Sequence, residues 1–133
     1  MRIKYWWYES EEWNDGIFRP TCAFIEEAKE FKGLIFSFLN DDEGLGLDYL
    51  INWLEVGLIE IEKVKIGTSA FYDMWGHAWG AEITAENVVI YWGYDDTDHK
   101  EKMDFDIFYK IFTEWLNFIK AEASVENSIE FEC

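Results

Sequence analysis

Apolar and polar positions alternate over residues 2–8, with Ile3, Tyr5 and Trp7 on one side and Lys4, Trp6 and Tyr8 on the other. A period of two predicts a strand, and aromatics on both sides predict that both faces are covered. A polar segment containing Asn14-Asp15-Gly16 follows, which is turn chemistry. From Thr21 the spacing becomes helical, with Thr21 as N-cap and Glu26 and Glu27 early in the helix. Gly33 weakens that pattern, and residues 34–39 also fit a buried strand. Asn40-Asp41-Asp42-Glu43-Gly44 reads as a loop. Leu47, Leu50, Ile51 and Leu54 then fall on one helical stripe that Gly57 would stop. Residues 58–66 suggest a strand whose alternation breaks near Glu62-Lys63, and residues 71–80 a strand and turn. Residues 81–84 and 88–92 form the two arms of a hairpin turning at Ala85-Glu86-Asn87. The clearest helix covers residues 105–121, where Phe105, Phe108, Phe112, Trp115, Leu116 and Ile119 recur at steps of three and four. Ile107, Ile111 and Phe118 widen the stripe, so this helix is well buried, and Asp104 is its N-cap. Beyond residue 122 only Val125, Ile129 and Phe131 are apolar, which fits an edge strand or a frayed end. The order predicts an α+β fold: a single domain over residues 1–133, with an antiparallel sheet and central hairpin packed by two or three helices.

Composition supports one folded domain, because half of the 133 residues are hydrophobic and a fifth aromatic. The charge changes the picture more. With 28 acids against 11 Lys and Arg, the chain carries a formal −17. Binding to nucleic-acid phosphates or to an anionic membrane surface needs the opposite sign, so neither is expected as a partner. A basic protein surface is. Cys22 and Cys133 are too few for a disulfide scaffold and are expected as free thiols in a reducing compartment. The first residues carry no signal-peptide pattern, and no stretch approaches the roughly 20 apolar residues of a membrane span. The expectation is a soluble cytoplasmic protein without cofactor.

Candidate chemistry concentrates in Tyr91-Trp92-Gly93-Tyr94-Asp95-Asp96-Thr97-Asp98-His99. Neither cysteine nor any serine has the context of a nucleophile beside a base. His77 lies among Met74, Trp75 and Trp79, where a histidine hydrogen-bonded in or beside the core is the simpler reading. Gly44-Leu45-Gly46 is flanked by acids that would repel a phosphate. Asp95, Asp96, Asp98 and His99 supply metal-ligand types, yet the central glycine of a calcium loop is missing and zinc would want more His and Cys. Acids are so abundant that no carboxylate pair stands out for acid–base work. Asp104 and Asp106 suit a helix N-terminus. Asp95, Asp96 and Asp98 lie too far ahead of it for the dipole to explain them. Aromatics beside such carboxylates combine rigid anchors with charge-assisted contacts to Arg and Lys, the makings of a protein interface.

Three blocks carry a resemblance: Phe38-Leu39-Asn40-Asp41-Asp42-Glu43-Gly44 leading to Asp48-Tyr49-Leu50-Ile51; Ala81-Glu82-Ile83-Thr84 with Val88-Val89-Ile90-Tyr91 and the acidic loop; and residues 108–119 around Trp115. Together they span roughly residues 38–119, and the layout resembles small acidic immunity proteins of bacterial contact-dependent growth inhibition and related polymorphic toxin systems. In particular it is similar to those paired with ribonuclease toxins. The resemblance implies a non-enzymatic neutraliser of a basic nuclease toxin domain. The expected toxin-binding residues are Asp41, Asp42, Glu43, Tyr94, Asp95, Asp96 and Asp98. Two other readings stand beside it. One is a nucleic-acid mimic that inhibits a DNA-binding protein. The other is a metal-dependent protein centred on Asp95, Asp96, Asp98 and His99.

Overall fold

The structure is a computed structural model that describes residues 2–9, 18–25, 32–93, 100–121, 123–124 and 126–133. Strands β1 (Arg2–Glu9) and β2 (Phe18–Phe24) come first, then helices α1 (Leu34–Leu39) and α2 (Leu47–Lys65). Strands β3 (Tyr72–Trp75), β4 (Trp79–Ile83), β5 (Asn87–Trp92) and β6 (Lys100–Asp104) follow, then helix α3 (Phe105–Lys120) and strand β7 (Ser128–Glu132). The strands make two antiparallel sheets, β2-β1-β7 and β3-β4-β5-β6. The α+β architecture is the expected one, with two sheets where one was expected.

Ile3, Tyr5 and Trp7 are buried, while Lys4 and Trp6 are half-buried and Tyr8 is exposed, so only one face of β1 is fully covered. What covers it is α3. Tyr5 meets Trp115 edge-on at 5.0 Å and donates its hydroxyl to the Ile111 carbonyl at 2.7 Å. Trp7 packs on Phe118. Eight of the sixteen residues of α3 are buried, as the wide stripe implied. Trp115 is among the largest and donates its indole N–H to the Leu39 carbonyl at 3.1 Å, tying α3 to the end of α1. Truncating a side chain of this size costs about 3–5 kcal/mol.

Local expectations are decided or corrected by the fold. Thr21 is no helix cap: it lies in β2, opposite Trp6, because pairing with β1 outweighs local helical spacing. Of the two readings left open for residues 34–39, helix or buried strand, the helix is the one observed. Gly57 does not stop α2, and residues 58–65 continue that helix with Leu54, Gly57, Ile61 and Val64 on its buried side. The bare Cα of Gly57 is what lets β3 approach, since a Cβ there would run into the Met74 side chain. Finally, Lys100–Asp104, left unassigned between the acidic loop and the helix, is a strand. Asp104 does precede the first residue of α3, but its side chain makes no capping bond. The hairpin of β4 and β5 and the edge strand β7 stand as expected. Among the described residues, no helix is long and apolar enough to cross a membrane.

Candidate partner-binding surface

The α1–α2 loop and the end of β5 meet at one turn. Asp41 Oδ2 accepts from the backbone N–H groups of Ala78 at 2.8 Å and Trp79 at 3.0 Å, fastening the α1–α2 loop to the β3–β4 turn. Gly76 closes that turn on the Trp79 carbonyl at 2.8 Å, with no room for a Cβ beside the Asp41 carboxylate. On the other side of the turn, Gly93 donates to the Ala78 carbonyl at 2.9 Å. Gly93 is the last described residue before residues 94–99. The α1–α2 loop and the start of the β5–β6 connection therefore share an anchor at Ala78.

The predicted site residues divide accordingly. Asp41 is half-buried and engaged inside the fold. Asp42 Oδ1 accepts from Gly44 N at 2.9 Å, and the residue lines a cavity of about 480 Å³ together with Tyr8, Pro20, Thr21, Asn40 and Leu47. Glu43 is exposed, with a left-handed φ of 56°. Tyr94, Asp95, Asp96 and Asp98, and His99 with them, lie outside the described residues. His77 stands exposed on the β3–β4 turn instead of in the core. Among the described residues, no group of three or more His, Cys, Asp and Glu side chains could hold a metal ion.

The four-stranded sheet adds residues that the sequence did not single out. Its inner face carries Met74, Ala81, Ile83, Val88, Ile90 and Met103, and α1, α2 and α3 pack on that side. The outer face has a different composition. Register aligns Trp75, Gly80, Tyr91 and Lys100 in one row, and Asp73, Glu82, Val89 and Lys102 in the next. Trp75 and Tyr91 stack across β4 with centroids 5.9 Å apart and planes 20° from parallel. Gly80 makes this possible: a Cβ there would lie 2.5 Å from the Tyr91 hydroxyl and 2.9 Å from the Trp75 ring. Gly93 likewise lies against the far edge of the Trp75 ring and has no room for a Cβ. The Trp75 ring thus spans from β3 across β4 to Gly93, yet it stays 46% exposed. The carbonyl of Trp75 accepts from the Trp53 indole at 3.2 Å, which fixes the strand to α2.

The charges on this face are unbalanced toward β3 and β4. Asp73 and Glu82 are direct cross-strand partners, and like charges in that position repel. Asp73 accepts the Tyr91 hydroxyl at 2.8 Å. Burial, then that bond and the charges of Asp73 and Glu82, hold the Tyr91 phenol well above its usual range, so it stays a neutral donor. A sequence signal did exist: a glycine inside a strand, as at Gly80, marks a close approach by something large.

The one buried carboxylate among the described residues is Glu101, 6% exposed, on the inner side of β6. It accepts from the backbone N–H groups of Lys32 and of Leu34, the latter at 3.2 Å. Leu34 N–H is a free donor of the first turn of α1, and Lys32 lies just ahead of its N-cap, Gly33, which makes no side-chain bond. This acid is structural. Cys22, in β2 opposite Tyr5, is buried with its thiol pushed up to about 12 by desolvation, which removes it as a nucleophile. No protein-family model, curated protein or solved structure matches the chain.

Proposed function

We propose that this protein is a non-enzymatic immunity protein that binds a basic toxin domain, a ribonuclease acting on tRNA or other RNA, and blocks its cleft with an acidic surface. It would act in the cytoplasm, where the toxin's substrate is. The reading rests first on charge. A cleft that holds RNA must be electropositive, and a chain of −17 is drawn to it as the phosphate backbone is. The observation that carries the reading is the shared anchor at Ala78. Asp41 and Gly93 both bond to it, which supports the reading because Asp42 and Glu43 follow Asp41 in the sequence and Tyr94, Asp95, Asp96 and Asp98 follow Gly93. In this reading Asp41 holds the loop in place, and the other six contact the toxin.

Co-expression with the nuclease toxin encoded beside this gene tests it. Growth should be rescued, and the two proteins should purify together. Changing Asp42 and Glu43 to Lys, or Asp95, Asp96 and Asp98 to Lys, should slow association by about tenfold or more at low salt. Absence of both binding and rescue would overturn the reading, and unchanged association in both variants would move the interface elsewhere.

A further inference from the structure

We propose that the outer face of the four-stranded sheet is an arginine anchor, seating one guanidinium of the protein partner against Trp75 with Asp73 and Glu82 as its counter-charges. The inference rests on the reading of this chain as the inhibitor of a basic protein, and names the contact by which that protein is gripped. Three features of the face converge on a cation.

The first is the paired acids. Asp73 and Glu82 face each other across β3 and β4 and are both exposed, and among the described residues neither has an ion-pair partner. Cross-strand carboxylates of this kind work against the fold unless a positive charge comes between them. The nearest cations on the face, Lys102 and Lys100, stand two strands away from Glu82 and Gly80, beyond Val89 and Tyr91. They close off the β6 side and leave the β3–β4 half as the place for a foreign charge.

The second is the exposed indole beside those acids. Trp75 is two residues along the same strand face as Asp73, about 7 Å away. Trp is the best aromatic partner for a cation, and a guanidinium both stacks on a ring and forks to carboxylates. The third is rigidity. Gly80 and Gly93 set the depth of the Trp75 ring, Tyr91 stacks against it, and the Tyr91 hydroxyl is tied to Asp73. An anchor already held in place loses little freedom when a partner arrives.

The probes are blocked hexapeptides of arginine and of lysine, titrated calorimetrically into the full chain at low salt, with the Trp75 indole N–H followed by NMR. The arginine peptide should bind more tightly than the lysine peptide and shift the Trp75 signal. Trp75→Ala should weaken arginine-peptide binding by about tenfold, and Trp75→Tyr should restore part of it. Asp73→Asn with Glu82→Gln should weaken it as much, whereas Asp48→Asn with Glu126→Gln, the same loss of charge elsewhere, should change it by no more than about twofold. Glu82→Lys should abolish the site and yet raise the melting temperature, since it replaces a repulsive cross-strand pair by an attractive one. Equal losses in the two double variants, equal binding of the two peptides, or an unmoved Trp75 signal would overturn the anchor. So would a cognate toxin held with undiminished affinity by Trp75→Ala, which leaves the neutraliser reading standing. A toxin that wild-type protein fails to bind overturns that reading instead, while the peptide titrations still decide the anchor.

Discussion

Tyr5 shows how much a single side chain can be asked to do here. It fills the gap between β1 and α3, meets Trp115 and Phe131 edge-on, and gives its one proton to the Ile111 carbonyl. Burial, and then the neighbouring Cys22 thiol, raise its phenol far above the ordinary value near 10. Cys22 itself is raised from 9.0 to about 12. Both groups are therefore neutral in the folded chain while the unfolded chain ionises. Their contribution is fully present below about pH 9 and is lost as pH rises through the window up to about 12 and beyond. Melting temperatures taken from about pH 8 to about pH 11 should fall steeply above about pH 9, and Tyr5→Phe should flatten the upper part of that slope. A flat profile to about pH 11 would contradict the assignment. At neutral pH the same variant should cost about 1 kcal/mol for the lost hydrogen bond.

At the scale of elements, α1 is the least self-sufficient. It has six residues, a glycine at its N-cap and no acid in its first turn, and Glu101 from β6 holds its start by accepting from the N–H groups of Lys32 and Leu34. Glu101→Gln keeps the shape but leaves one acceptor oxygen for two donors. It should destabilise by about 1–3 kcal/mol and lower the melting temperature by roughly 5–10 °C, readable by calorimetry. The same residue explains why β6 was illegible in the sequence. The strand alternates inward at Glu101 and Met103, and a buried acid in the first of these positions looks like a loop until its partners are known. Patterns that depend only on neighbours along the chain were readable: α3, the β4–β5 hairpin, the alternation of β1. Patterns settled by a distant partner were not. Gly57 looked like a helix stop because its purpose, making room for Met74, lies in another element. Thr21 looked like a cap because β1 pairs with it from far upstream. Gly80 only hinted at the Trp75 platform, since the platform exists only once register sets Gly80 between Trp75 and Tyr91.

Over the whole molecule, self-repulsion dominates the electrostatics. Lys63–Glu60 and Lys120–Glu55 are exposed pairs of the kind worth little, and they offset few of 28 acids. Raising ionic strength from about 0.01 M to about 0.15 M shortens the screening length from about 30 Å to about 8 Å. The melting temperature should therefore rise with salt, while association with the proposed basic partner should slow. A melting temperature that falls or stays constant with salt would show that the surface charges are locally balanced. The three-stranded sheet imposes a condition of a different kind. Its central strand, β1, pairs on one side with β2 and on the other with β7, so that Arg2 sits opposite Glu132. As the chain emerges during synthesis, β1 and β2 can meet early, but the row of groups that faces β7 must wait for nearly the whole domain. Tyr5 waits with it, because Ile111, Trp115 and Phe131 are all late in the chain. Closure over such separations is slow, and until then the apolar side of β1 is an open invitation to other nascent chains. Under the proposed function the protein must be folded before its partner arrives, so that interval is its vulnerable one, and rapid synthesis or a chaperone at the ribosome would matter to it more than added stability.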